Sequence, residues 1–93
     1  MLKQRTYKVY DYDLWRDDNG YYVNDVFETD ILIIVNDYTS DKEIIKELKK
    51  EGFLKKNLRY SSFEIYGDTD NLYVDYYSQR TGLMPVCELR LID

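Results

Sequence analysis

A run of five apolar residues at 31–35 (ILIIV) constrains the fold of this chain more than any other feature. Four of the five are β-branched and favour a strand, in which successive side chains point to opposite sides of the sheet. A strand that is apolar on both sides needs cover on both faces, which is typical of the interior of a sheet. The sequence therefore predicts a central strand at 31–35. The run is much shorter than the roughly 18 apolar residues of a membrane helix.

A hairpin is predicted just before this run. Residues 5–15 (RTYKVYDYDLW) and 21–28 (YYVNDVFE) are rich in Tyr and Val, which are common in strands. Between them, residues 17–20 (DDNG) end in Asn-Gly, a pair that can place two residues at positive φ and is a strong hairpin signal. Because Thr29-Asp30 separates the second strand from the apolar run, we expect three strands in this part of the chain.

One helix is predicted after these strands. Ser40 and Glu43 have the spacing of a capping box, so the helix is expected over 41–51, with Gly52 as its left-handed stop. Residues 53–60 fit either a second short helix or a loop that turns Phe53 and Leu58 inward. The apolar stripe expected to pack on the sheet consists of Ile44, Ile45 and Leu48.

Three more strands are predicted after the helix, at 63–66, 72–77 and 86–92, with Pro85 at the start of the last strand or on an edge. The expected fold is a single α+β domain over 1–93, with an antiparallel sheet and one main helix in the order βββ-α-βββ. A helix of this length spans only about 16 Å. One sheet face should therefore curl on itself, meet a second chain, or stay wet.

The composition removes most catalytic chemistry. The chain has no His and a single Cys, Cys87, so the usual general base, a structural zinc site and an intrachain disulfide are all missing. Asp11 with Asp13, and Asp68 with Asp70, could each face a cation, but neither pair continues into a calcium-loop pattern. We expect no enzyme activity, metal or cofactor. Residues 1–5 lead into no apolar segment, so no signal peptide is expected, and the lone Cys fits the cytoplasm.

The charge is divided unevenly along the chain. The net charge is −5 and the isoelectric point is about 4.7, yet residues 42–59 carry seven basic and three acidic side chains. An acidic chain does not favour direct nucleic-acid binding, which depends on positive potential. The basic segment is interpreted as a solvated helix face or, alternatively, as a docking surface for an anionic partner.

The candidate binding residues combine Tyr with Asp. Eleven residues are Tyr, and about half of those on strands should point away from the core, where they could simply pack or could form an interface. The carboxylates of the first hairpin could steer a basic partner by imitating phosphates, or could serve only turns and solubility. The predicted set is Tyr10, Asp11, Tyr12, Asp13, Trp15, Asp17, Asp18, Tyr21, Tyr22, Asp25, Tyr73 and Tyr77.

Residues 7–15 (YKVYDYDLW) followed by 20–27 (GYYVNDVF) resemble small uncharacterised proteins encoded by phages and mobile elements. The resemblance covers the first third of the chain. It implies a short acidic protein that blocks a host protein, such as a CRISPR effector, in the host cytoplasm. We therefore expect a protein partner, including a nucleic-acid-binding host protein. The sheet face that the helix leaves uncovered separately predicts self-association into a homodimer. The alternative is a small-ligand or nucleotide binder that uses the Tyr-rich sheet face.

Overall fold

A five-stranded antiparallel sheet with one α-helix forms the fold within residues 3–93, which are the residues that the computed structural model describes. Met1 and Leu2, part of the segment from which no signal peptide is expected, lie outside them. The elements are β1 (Gln4–Asp17), β2 (Gly20–Asn36), α1 (Asp41–Lys50), a 3₁₀ helix (Tyr60–Ser62), β3 (Phe63–Gly67), β4 (Asn71–Ser78) and β5 (Gly82–Leu91). Their order in the sheet is β2-β1-β5-β4-β3. The predicted α+β class is confirmed.

The first half contains two strands where three were expected, so the order is ββ-α-βββ. The expected break at Thr29-Asp30 is a bulge inside β2, where residues 29–31 face Val9. The Thr29 hydroxyl donates a 2.7 Å hydrogen bond to the Val9 carbonyl and accepts the Ile31 N–H at 3.2 Å. Because this side chain satisfies backbone groups that the bulge takes out of the ladder, the strand continues.

Residues 31–35 lie on the outermost strand of the sheet, so the prediction of a central strand is wrong. β2 pairs with β1 alone among the described residues, while the other side of β1 pairs with β5. Ile33 and Val35 are buried on the helix side. Leu32 and Ile34 face the other side and are 47% and 60% exposed. An alternation pattern specifies the two faces of a strand but not its neighbours, which explains the error.

The first hairpin is confirmed, although its turn differs from the expected one. Asp17 pairs with Gly20 across the two-residue connection Asp18-Asn19. Gly20 has φ +133°, whereas no non-glycine residue in the described chain has positive φ, so Asn19 does not adopt the expected conformation. The Asn19 N–H donates instead to Asp17 Oδ1 at 2.7 Å, and this Asx turn supplies the reversal.

The helix begins and ends close to the predicted residues. The Glu43 N–H donates to Ser40 Oγ at 3.2 Å and the Ser40 N–H to Glu43 Oε1 at 3.3 Å, which completes the capping box. Gly52 follows at φ +80°. α1 contacts β2 and β3, the two edge strands, so the sheet curls around it. The buried core consists of Tyr7, Val9, Ile33, Val35, Ile44, Ile45, Leu48, Leu54, Val74, Cys87 and Leu89.

Residues 53–59 form a loop that leads into the 3₁₀ helix, and Phe53 and Leu58 are half-buried, as the loop alternative expected. Lys49, expected on the wet side of α1, is buried. Its ammonium group donates hydrogen bonds to the carbonyl of Leu58 and to the carbonyl of Lys56, the latter at 3.3 Å. The same group lies 3.9 Å from the centre of the Tyr60 ring. Lys49 therefore holds the loop against the helix and is not available to a docking surface.

The first hairpin continues past its last pair with β5 as a separate two-stranded ribbon. The ladder between β1 and β5 ends at Asp11 and Cys87, two residues from Pro85, which has no N–H to offer. β5 starts at Gly82 and not at 86 as expected, and Pro85 pairs there with Asp75 of β4 alone. Residues 12–26, called the arm below, pair only with each other. No helix in residues 3–93 has the length and apolar character needed to cross a bilayer.

Candidate binding surface

The arm exposes an aromatic pair. Trp15 of β1 lies directly opposite Tyr22 of β2, and the two side chains are 67% and 42% exposed. The next pair, Leu14 and Val23, lies on the opposite side of the ribbon, where Val23 is exposed. Directly opposite residues share one side of an antiparallel ribbon, so Trp15 and Tyr22 present one joint surface. Large exposed aromatic residues of this kind are typical anchors of protein interfaces.

The arm is acidic and its charges are not neutralised by ion pairs. It carries four Asp and one Arg, a net charge of −3. The ion pairs within residues 3–93 lie elsewhere in the chain. Asp13 and Asp25 face each other directly across the strands, an arrangement of like charges that opposes folding. The Asn24 amide donates to Asp13 Oδ2 at 2.9 Å and offsets part of this repulsion.

The tip of the arm is ordered by its own side chains. Asp17 Oδ1 accepts the Tyr22 hydroxyl at 3.0 Å, and this hydrogen bond raises the pKa of Tyr22. The Arg16 guanidinium lies 5.3 Å from the centre of the Tyr21 ring, and Asp18 is exposed. A cleft of about 430 Å³ separates this tip from Thr81–Leu83 at the turn between β4 and β5. The sheet thus ends in two separate hairpins.

A second group of predicted residues lies together on the sheet face opposite α1. Tyr12 donates its hydroxyl to Glu88 Oε1 at 3.2 Å, and Arg90 Nε donates to Glu88 Oε2 at 2.8 Å. The Arg90 guanidinium is 4.1 Å from the centre of the Tyr10 ring, and Tyr73 pairs with Glu88 across the strands. Burial, followed by the charge of Glu88, raises the pKa of Tyr12. These Tyr side chains therefore contact partners inside the molecule.

A second buried carboxylate, Asp75, lies on the same face. Tyr66 and Tyr73 stack beside it with ring centres 5.5 Å apart, and Glu64 pairs with Asp75 across the strands. Burial raises the pKa of Asp75, Glu64 raises it further, and a hydrogen bond from Tyr66 lowers it. Sequence reasoning did not select Asp75 or Glu88 as site residues. The signal for them in the sequence was that each carboxylate alternates with apolar residues of the same strands, namely Val74, Cys87 and Leu89.

Two of the predicted residues join neither group. Asp11 accepts the N–H of Tyr12 at 2.8 Å and lies across from Phe27 on β2. Tyr77 pairs with Leu83 in the other hairpin, and both side chains are more than half exposed. The predicted set is thus divided among the arm, the open sheet face, and these two positions.

The carboxylates form no evident ion site. Residues 3–93 contain no group of three or more His, Cys, Asp or Glu side chains that could hold a metal ion. Asp68 Oδ1 accepts the N–H groups of Asp70 and Asn71 at 2.9 and 3.1 Å, which makes it a turn residue. The Cys87 thiol is buried in the core, and this burial raises its pKa. A protonated buried thiol is a weak nucleophile.

The chain matches no protein-family model, no curated protein and no solved structure. The arm offers an exposed aromatic pair with carboxylates that lack cations, whereas the open face offers Tyr side chains that already have partners.

Proposed function

We propose that this chain is a non-enzymatic protein-binding module and that the arm contacts the partner. The observation that carries the proposal is the exposed Trp15–Tyr22 pair on a ribbon that is separate from the neighbouring hairpin of the sheet. Interface energy is concentrated in a few aromatic and Arg residues. Because the two residues sit on paired strands, their backbone is already ordered before a partner covers the rings.

The charges of the arm define the partner further. Asp13, Asp17, Asp18 and Asp25 favour a basic protein surface, and the Asp13–Asp25 repulsion is relieved when a cation approaches both. A basic cleft that normally binds nucleic acid has this character. In the setting implied by the resemblance to phage-encoded proteins, the chain acts in the host cytoplasm as an inhibitor of a host defence protein such as a CRISPR effector.

Affinity capture from host cytoplasmic extract tests this proposal with a matched control. The wild type is compared with Trp15→Ala/Tyr22→Ala and with Tyr77→Ala/Leu83→Ala. The control pair is similarly exposed but lies off the arm. We expect one basic, nucleic-acid-binding protein to be retained by the wild type and the control variant and to be lost with the arm variant. Salt and competing nucleic acid should each release it.

A circular-dichroism spectrum and a melting curve for each variant separate lost binding from lost folding. Equal capture by the arm variant and the wild type would contradict the role of the arm. If salt releases the captured protein but nucleic acid does not, the chain still binds a protein, but that protein does not use a nucleic-acid-binding cleft for the contact.

The alternative function, binding of a small ligand or nucleotide on the Tyr-rich face, stays a prediction without an observation that favours it. Tyr10 and Tyr12 already contact Arg90 and Glu88, and the buried carboxylates Glu88 and Asp75 repel phosphate. Thermal shift against a nucleotide panel distinguishes the two functions, since a bound ligand must raise the melting temperature.

A further inference from the structure

We infer that a second copy of this chain binds along the outer edge of β2, at residues 31–35, and extends the sheet across a two-fold axis. This segment is called the edge segment below. It lies at the base of the hairpin, away from the arm, so the inference does not rest on the proposed function.

The edge segment combines an unpaired strand edge with apolar side chains. No strand pairs with its outer side within the described residues. Leu32 and Ile34 expose about half or more of their side chains on the open face, and a groove of about 320 Å³ runs between residues 33–36 and α1 on the other face. An additional strand would supply backbone partners and cover both faces together.

The usual protection of a sheet edge is missing here. Natural edge strands carry Lys, Pro, a bulge or an inward-pointing charge that prevents pairing with other chains. The edge segment has no charged residue and no Pro. The bulge at residues 29–31 lies at the start of the segment and does not reach residues 32–35. A long apolar edge that stays uncovered is a site of aggregation, so a specific partner is the consistent explanation.

The sequence of the edge segment is complementary to itself. When two copies pair antiparallel with Ile33 on the two-fold axis, Leu32 of one copy faces Ile34 of the second, and Ile31 faces Val35. Just outside, Asp30 faces Asn36, so no like charges meet. The four exposed side chains at 32 and 34 then cover one another on the open face. Each strand becomes central in a ten-stranded sheet, which suits residues apolar on both faces.

Charges beside the groove also suit a second copy. Asp37, which follows β2, forms an ion pair with Arg5 at 2.9 Å and so adds no unpaired charge to this edge. Glu43, Lys46 and Glu47 of α1 line the groove. The two-fold axis stands perpendicular to the sheet and brings two such helix flanks together on one face. Each flank carries both acidic and basic side chains, so ion pairs between the two copies are available.

Sedimentation across the micromolar range tests the inference, because pairing through one short strand makes a small interface, and small interfaces are typical of weak, reversible association. We expect a monomer–dimer equilibrium for the wild type and a monomer for Ile34→Lys, whose side chain is 60% exposed and can change without disturbing the core. Leu83→Lys places the same charge at a 57% exposed position off this edge and should dimerise like the wild type.

A cysteine pair tests the register. In Leu32→Cys/Ile34→Cys, each thiol faces one in the second copy, so mild oxidation should give a covalent dimer. Two positions apart on one strand, Cβ atoms lie roughly 6–7 Å from each other, too far for an intrachain disulfide. Cys87 is buried and does not compete. Ile92→Cys, exposed just after the end of β5, should stay monomeric under the same conditions.

Three results would overturn the inference: a wild-type monomer throughout the range, a dimer that survives Ile34→Lys, or a dimer abolished by Trp15→Ala/Tyr22→Ala. The last result would transfer self-association to the arm. Loss of partner capture by the arm variant leaves the dimer unchanged, so the two proposals fail separately.

Discussion

The Tyr7 hydroxyl donates a 2.7 Å hydrogen bond to the backbone carbonyl of Thr69, 62 residues further along the chain. Tyr7 lies on β1 and is 1% exposed, and Thr69 lies in the turn between β3 and β4. Since β2, α1 and β3 separate β1 from this turn along the chain, the bond joins the first hairpin to the last three strands.

Removing that hydroxyl should destabilise the protein. Tyr7→Phe keeps the buried ring but leaves the Thr69 carbonyl without its donor, which should lower the free energy of unfolding by about 0.5–1.5 kcal/mol. Urea denaturation measures the change. Tyr38→Phe is the control, because the Tyr38 side chain is 78% exposed, and it should leave the midpoint unchanged. Equal midpoints for Tyr7→Phe and the wild type would contradict the role of this bond.

The bulge in β2 should depend on one hydroxyl group. Thr29→Val preserves the shape of the side chain but removes the donor to the Val9 carbonyl. We expect a loss of about 1 kcal/mol in the free energy of unfolding, because a partly buried carbonyl then has no partner. Thr29→Ser retains the hydroxyl and should recover most of the loss. If the Val variant is as stable as the wild type, the hydrogen bond from Thr29 does not contribute to the stability of the bulge.

The arm should gain stability when its facing carboxylates are separated. Asp25→Asn removes the repulsion from Asp13 across the strands, so the free energy of unfolding should rise by roughly 0.2–1 kcal/mol. The gain should shrink at about 1 M salt, where the Debye length is only about 3 Å. A gain that is independent of salt would indicate a conformational effect of Asn. The same substitution should weaken capture of the proposed partner.

Asp75 should make stability fall as the pH rises. Because burial raises the pKa of Asp75, the folded protein holds this proton more tightly than the unfolded chain. Its contribution is fully present below the ordinary carboxyl pKa of about 4 and is lost as the pH rises through the raised pKa. Asp75→Asn should therefore be more stable than the wild type at neutral pH, and this advantage should decrease in acid.

Urea denaturation of both proteins over this pH range measures the effect of Asp75. Asp70→Asn, an exposed position in the turn between β3 and β4, is the control and should follow the wild type. An advantage of Asp75→Asn that stays constant with pH would show that the raised pKa does not contribute.

Local signals accounted for much of the fold. Ser40 and Glu43 set the start of α1, Gly52 its end, and the alternation of Val74, Cys87 and Leu89 identified the buried side of the later strands. For the site, the sequence identified Trp15 and Tyr22 as candidate contacts but not the carboxylates at 75 and 88. Whether an outward-facing carboxylate is buried depends on which side chains cross from neighbouring strands, such as Tyr12 and Arg90.

The sequence by itself determined the helix, the hairpins, and which side of each strand is apolar, because these features depend on residues within a few positions of one another. Only the tertiary structure decided that residues 31–35 are an edge. That outcome requires β1 to pair with β5, as Tyr7 does with Leu91, and so to leave β2 outermost. Pairing across such a distance depends on how the whole chain closes around α1. The periodicity of apolar residues shows which face of a strand is buried, but it does not show which strand lies beside it in the sheet.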